Sequence, residues 1–241
     1  MSQSGPSPPT AGRGLVIAGF VLAGLAFVIW PLGIAAVVMG VIVIVRGGGA
    51  TGGLIVVLGA TLPAIAAALL FIGIGPPYRF PSGSMYPTLH VGDRVLTSRF
   101  ADPARGDIVV FHPPRGAETN ECGVARATTE LCPRPTPQRS TQKFIKRIVA
   151  GPGDTIALEH GHVIRNGKPQ TEEFATPCQP ASGEGLCDFP KPITVPAGHW
   201  FVLGDNRAAS NDSRFWGPVP KRWIIAVAYA RYSPLDRVGF L

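Results

Sequence analysis

Three segments of this 241-residue chain carry side chains that can do covalent chemistry together. They are Pro81-Ser82-Gly83-Ser84-Met85-Tyr86-Pro87-Thr88-Leu89, Lys143-Phe144-Ile145-Lys146-Arg147-Ile148-Val149, and Gly204-Asp205-Asn206-Arg207-Ala208-Ala209-Ser210-Asn211-Asp212-Ser213-Arg214. A serine hydroxyl is a poor nucleophile until a base takes its proton. Ser84 sits in a turn where Gly83 permits a sharp bend and the close approach of another chain, and Pro87 stiffens the backbone just beyond it. Lys146 is the candidate base. In an extended run alternate residues face opposite sides, so Phe144, Lys146 and Ile148 share one face while Ile145, Arg147 and Val149 share the other. Free lysine titrates near pH ~10.4, and a lysine set among apolar neighbours loses its proton more readily because burial disfavours the ammonium. In the last segment Asp205, Arg207, Asp212 and Arg214 can pair as ions that pin a loop, and Ser210 can hold the lysine amine. Taken singly, each segment has a plainer reading: a Ser-Gly-Ser loop, an edge strand with a solvated lysine, and a salt-bridged turn.

The elements that must position these groups read as β-strands. From about Pro77 onward short β-type runs alternate with turn signals, at Arg94–Thr97, Asp107–Phe111, Phe144–Ala150, Thr155–Leu158, His162–Arg165, His199–Leu203 and Trp223–Tyr232. Asn166-Gly167 is a tight-turn pair. No long amphipathic helical pattern appears, so residues 77–241 are expected to form a mostly antiparallel β catalytic domain. Residues 113–142 and 168–196 are polar and proline-rich and read as surface insertions. Each holds two of the four cysteines, Cys122 with Cys132 and Cys178 with Cys187. In an exported domain four cysteines point to two disulfides with three possible connectivities. Pairing within each insertion closes a short loop and is preferred. Zinc is the alternative, but the spacings lack the close CxxC pairs of structural zinc sites.

The N-terminal third is different. Residues 1–12 are rich in Pro, Ser and Gly and read as a disordered tail. Within 13–75, the run Leu15–Val45 is almost continuously apolar; as one helix it would reach roughly 47 Å, against a hydrocarbon core of about 30 Å. Trp30-Pro31-Leu32-Gly33 interrupts it. The pattern predicts three α-helical transmembrane spans, at 14–30, 33–46 and 54–74, the last stopped by Gly75-Pro76-Pro77; two spans, with 14–45 as one kinked helix, is the alternative. Arg13 and Arg46 flank the first two and favour the cytoplasmic side, which puts the β domain on the extracytoplasmic face in either case. A cleavable signal peptide at 13–30 would need a polar, small-residue cleavage site, and Trp30-Pro31 does not supply one.

Before Tyr78 the only charged side chains are Arg13 and Arg46, so the remainder carries 20 of the 22 Lys and Arg and all 15 acidic residues, near +5. No basic run is interleaved with aromatics, which argues against nucleic acid. Scattered basic residues suit a solvated surface or anionic lipid headgroups.

In combination the motifs resemble those of bacterial type I signal peptidases, membrane-bound Ser–Lys endopeptidases that remove signal peptides from exported proteins. The resemblance covers roughly residues 54–232 outside the two insertions and rests on Pro-Ser-Gly-Ser-Met-x-Pro-Thr-Leu, Gly106-Asp107-Ile108-Val109-Val110-Phe111, Lys146-Arg147-Ile148-Val149-Ala150-Gly151-Pro152-Gly153-Asp154, and Gly204-Asp205-Asn206-Arg207 leading to Ser210, Asp212, Ser213 and Arg214. It implies that Ser84 is the acylating nucleophile, Lys146 the general base, Ser82 with the Ser84 N–H the oxyanion hole, and Ser210 the residue that orients Lys146. It further implies structural ion pairs among Arg147, Asp205, Asp212 and Arg214, and substrate pockets lined by Phe80, Met85, Leu89 and Ile145. The substrates it implies are signal-peptide-bearing preproteins cut after small residues, at the cytoplasmic membrane among its lipids and near the secretion translocon, with no metal or cofactor. Two other functions fit parts of the pattern. A self-cleaving Ser–Lys regulator would need a DNA-binding head where this chain has apolar spans, and a non-catalytic membrane-anchored binding module would have no need of both Ser84 and Lys146.

Overall fold

A computed structural model describes residues 42, 74–176, 178 and 187–241. The chain divides into two compact units, Met1–Gly75 and Pro76–Leu241; the second carries the serine, the lysine and the Gly204–Arg214 segment. The tail 1–12 and the expected spans lie outside the described residues, apart from residues 42 and 74. Among the described residues no helix is long and apolar enough to cross a membrane.

Among the described residues twelve strands form two sheets. They are β1 (Ile74–Arg79), β2 (Arg94–Ser98), β3 (Ile108–Phe111), β4 (Phe144–Ala150), β5 (Thr155–Glu159), β6 (His162–Arg165), β7 (Lys168–Pro169), β8 (Phe189–Thr194), β9 (His199–Leu203), β10 (Val219–Pro220), β11 (Ile224–Ser233) and β12 (Gly239–Phe240), accompanied by a short α-helix, α1 (Ser213–Trp216). The larger sheet runs β1-β2-β11-β3-β4-β9-β10, with β12 also on β11, and the smaller runs β7-β6-β5-β8. From β2 onward every pairing of strands is antiparallel. Turn chemistry explains the small sheet: His160-Gly161 and Asn166-Gly167 each connect strands in two residues with positive φ at both positions (50° and 80°; 52° and 71°), the geometry that matches strand twist.

The long β-branched runs lie at the centre of the larger sheet. In β3 the side chains alternate between two cores: Val109 and Phe111 enter the larger cluster with Ile148, Phe201 and Trp216, while Ile108 and Val110 enter the smaller one with Phe80, Met85, Leu89 and Ile145. β4 lies between β3 and β9, with Val109 opposite Lys146 and Leu203 opposite Arg147. It is therefore an interior strand with both faces covered, and the edge-strand alternative for Lys146 is excluded. The alternation expected along β4 holds to Ile148. An irregularity in the pairing with β9 then lets Ile148, Val149 and Ala150 all join the larger cluster.

The structure differs from the sequence reading at the two proline-rich stretches. Residues 168–196 contain β7 and β8, and β8 pairs with β5. Its sequence, Phe-Pro-Lys-Pro-Ile-Thr, hides a strand because proline cannot donate to a ladder. β8 lies at an edge of its sheet, where Pro190 and Pro192 are exposed and cost little. Pro76 and Pro77 likewise sit in the terminal strand β1. Residues 113–142 form no named strand, yet Ala117 and Leu131 are buried in the larger core. Cys122–Cys132 and Cys178–Cys187 are disulfide-bonded, each within its own segment.

Candidate active site

The serine turn is built by its own backbone: the Tyr86 N–H donates to the Gly83 carbonyl at 3.2 Å and the Leu89 N–H to that of Met85 at 2.8 Å. Met85 and Leu89 are fully buried, which anchors the turn in the smaller core and leaves Ser84 only 7% exposed at the rim. Ser82 and Gly83 remain exposed. β4 reaches the same place from the sheet interior. The Lys146 Nζ donates to the Ser84 Oγ at 2.6 Å, and the Ser82 Oγ lies 3.2 Å from the Ser84 Oγ.

Lys146 is 4% exposed. Burial pushes its amine down from 10.5 to about 8; Asp212 opposes that shift, Arg214 adds to it and Asp205 opposes it. Desolvation wins because the two nearby carboxylates already face arginines. Asp212 meets Arg214 through Nε–Oδ1 at 2.8 Å and Nη2–Oδ2 at 3.0 Å. Burial would raise the Asp212 carboxyl. The charge and hydrogen bonds of Arg214, with smaller help from Lys146 and the Gly204 N–H, outweigh burial and hold it below the ordinary carboxylate range. Asp205 takes two bonds from Arg147, at 2.9 Å from Nε and 2.8 Å from Nη2, and a third from the Thr88 hydroxyl at 2.6 Å. Arg147 also donates to the Gly106 carbonyl at 2.7 Å and lies 4.0 Å from the centre of the Phe174 ring. A lysine surrounded by self-contained ion pairs can be neutral near pH 8 and so can take a proton from a serine hydroxyl.

The structure thus brings Ser82, Ser84 and Lys146 into one hydrogen-bonded group and pairs Arg147 with Asp205 and Asp212 with Arg214. It gathers Phe80, Met85, Leu89 and Ile145 into one buried apolar cluster beside the serine turn. Ser210 is 7% exposed, and its hydroxyl makes no hydrogen bond among the described residues, to Lys146 or to any other group. It is still close to the turn. A Cβ added to Gly204 would sit 2.2 Å from the Ser210 Oγ and 2.4 Å from the Ser84 carbonyl oxygen.

Several contributors escape a reading of the sequence. Asn206 fastens the serine turn, its N–H donating to the Ser84 carbonyl at 3.1 Å and its Nδ2 to the Gly83 carbonyl at 3.3 Å. Arg207 finds its carboxylate in Glu172, 35 residues away, through bonds of 2.9 and 2.7 Å. Gly204 is visible as part of a motif, but the need for a residue without Cβ is visible only once Ser84 and Ser210 converge on it. Among the described residues no group of His, Cys, Asp and Glu has the arrangement of a metal site.

Known proteins resemble this chain over most of its length. The family described as "Signal peptidase, peptidase S26" matches residues 54–233. The chain is 36% identical over 181 residues to "Probable signal peptidase I-1" of Synechocystis sp., covering 73% of this chain and 81% of that protein. It is 38% identical over 166 residues to "Signal peptidase I" of Leptolyngbya laminosa, covering 67% and 70%. It is 37% identical over 186 residues to "Thylakoidal processing peptidase 1, chloroplastic" of Arabidopsis thaliana, covering 75% and 48%. With most of its length matched and its serine and lysine side by side, the chain belongs to the type I signal peptidase family, peptidase S26.

Proposed function

We propose that this enzyme removes N-terminal signal peptides from exported preproteins, cutting after small residues with Ser84 as nucleophile and Lys146 as general base. The observation that carries the reading is the 2.6 Å contact between a buried Lys146 amine and the Ser84 hydroxyl. Neutral Lys146 accepts the Ser84 proton as Oγ adds to the scissile carbonyl carbon. The oxyanion accepts hydrogen bonds from the Ser84 N–H and the Ser82 hydroxyl, where the loss of one donor costs about 10²–10³ in rate. Collapse breaks the C–N bond, and the Lys146 ammonium gives its proton to the departing amine. The neutral lysine then deprotonates water. The hydroxide adds to the ester, its C–O bond breaks to release the acid, and the Lys146 ammonium returns its proton to the Ser84 oxygen.

Ser210 acts beside Lys146 and limits the positions open to its amine. The substrate lies extended along an open strand edge, and the apolar side chains of Phe80, Met85, Leu89 and Ile145 shape the ground beneath its small residues. The catalytic unit, residues 77–241, works on the extracytoplasmic face of the cytoplasmic membrane, held by the spans in 13–75 near lipid and the secretion translocon. The apolar sequence of 14–74 and the exposed side chains of Leu235, Val238 and Phe240 support a membrane setting.

The test is cleavage of a purified preprotein by the detergent-solubilised protein, with the new N-terminus read by mass spectrometry. Wild type cuts after a small residue, and Ser84→Ala and Lys146→Ala, both folded, do not. Cutting at the wild-type rate by either variant would falsify the dyad.

A further inference from the structure

The segment that carries Ser210 and Asp212 is fastened from outside, by a part of the chain that the family motifs do not cover. Asn211 lies between these two residues, and its side chain is half-buried. Its Nδ2 donates to the Ala117 carbonyl at 2.7 Å and its Oδ1 accepts from the Trp216 indole N–H at 2.7 Å. Ala117 is buried in the core and lies in the 113–142 stretch, a few residues before the loop that the Cys122–Cys132 disulfide closes. The same stretch grips the segment twice more, with the Cys132 N–H on the Arg214 carbonyl at 3.0 Å and the Arg126 Nη2 on the Phe215 carbonyl at 3.3 Å. The fit at Gly217 leaves no room for slippage: a Cβ there would lie 2.8 Å from the Pro135 nitrogen and 3.2 Å from the Cys132 Sγ. Trp216, the other partner of Asn211, is fully buried against Phe111, with ring centres 5.9 Å apart.

The Ser210 hydroxyl, in contrast, has no hydrogen-bond partner among the described residues. Its place beside the serine turn is therefore set by contacts of the neighbouring chain, among them the Ser210 carbonyl accepting from the Arg214 Nη2 at 2.9 Å and the side chain of Asn211. Asp212, the carboxylate that acts most strongly on Lys146, comes directly after in the chain. We propose that Asn211 is a positioning residue for the Ser84–Lys146 dyad, tying the Ser210–Asp212 backbone to Trp216 and to the disulfide-bearing 113–142 stretch, which serves as its abutment. The inference rests on Ser84 and Lys146 being the dyad and adds a contribution that comes from outside the family motifs.

Its test measures kcat and KM on a purified preprotein for full-length wild type, Asn211→Ala, Asn211→Asp and the paired Cys122→Ser/Cys132→Ser variant, each alone and with Asn211→Ala. Thermal melting confirms that each is folded at the assay temperature. Displacing groups beside the dyad by a fraction of an ångström lowers kcat about tenfold, with KM held within about twofold because the substrate groove is untouched. Asn211→Asp keeps the acceptor for Trp216 but sets an oxygen against the Ala117 carbonyl, so it loses kcat as well. It reports on the tie if Asn211→Ala fails to fold. The asparagine and cysteine changes act through the same tie, so their combined loss falls short of the product of the single losses. Wild-type kcat in the folded asparagine variants, or fully multiplicative losses, overturns the proposal. Full activity of a parallel Ser84→Ala control overturns the dyad reading beneath it instead.

Discussion

Replacing Gly204 by alanine adds a single methyl group at the point where the Ser84 and Ser210 segments meet. Gly204 does not occupy the left-handed region, so alanine can adopt its backbone conformation and the effect is steric alone. The new Cβ would fall 2.2 Å from the Ser210 Oγ, 2.4 Å from the Ser84 carbonyl oxygen and 2.5 Å from the Ser210 Cβ, whereas ordinary contact begins at 3.4 Å. Rotating the Ser210 hydroxyl away relieves only the first of these. The other two require the serine turn, the Ser210 backbone or both to withdraw by about 1 Å. That distance is large beside the 2.6 Å contact between Lys146 and Ser84. A misplacement of about 1 Å costs on the order of 10²-fold in rate, while overpacking of this kind costs about 1–3 kcal/mol of stability. The expected result is a folded protein, melting modestly lower, with kcat on a purified preprotein reduced about a hundredfold. Wild-type kcat in Gly204→Ala would refute the claim that Ser84 and Ser210 converge on this glycine.

Two further measurements bear on the electrostatics. In the proposed mechanism the base is the neutral Lys146 amine, whose pKa burial pushes down to about 8, so activity is expected to fall with pH: kcat/KM should bend near that value and drop about tenfold per unit below it. A profile flat from about pH 6 to 9 would contradict a buried lysine base. Asp205→Asn removes the charge that faces a buried Arg147 and should cost about 3–5 kcal/mol. That lowers Tm by roughly 6–20 °C in a differential scanning experiment, and an unchanged Tm would show that Arg147 does not depend on Asp205.

The sequence by itself determined the candidate reacting groups and most of the strands. A serine beside a glycine, a lysine in an alternating apolar run and a polar segment dense in Asp and Arg are local patterns, and local patterns survive without knowledge of the fold. The same holds for β2 to β6, β9 and β11, written in β-branched residues, and for the Asn166-Gly167 turn. β8 is unreadable because two prolines mask it, and only its place at a sheet edge makes them harmless. What the tertiary structure alone decided is where these patterns meet. Burial of Lys146 comes from β4 lying between β3 and β9, which no property of the β4 sequence reveals, and from that burial comes a basicity suited to deprotonating Ser84. The choice of partners among many Asp, Glu and Arg side chains is likewise tertiary: Arg147 takes Asp205 rather than a neighbour in sequence, and Arg207 takes Glu172. Charge pairing acts through space at a few ångströms, and chain order fixes such distances only within a turn or two; beyond that the packing of the sheets sets them.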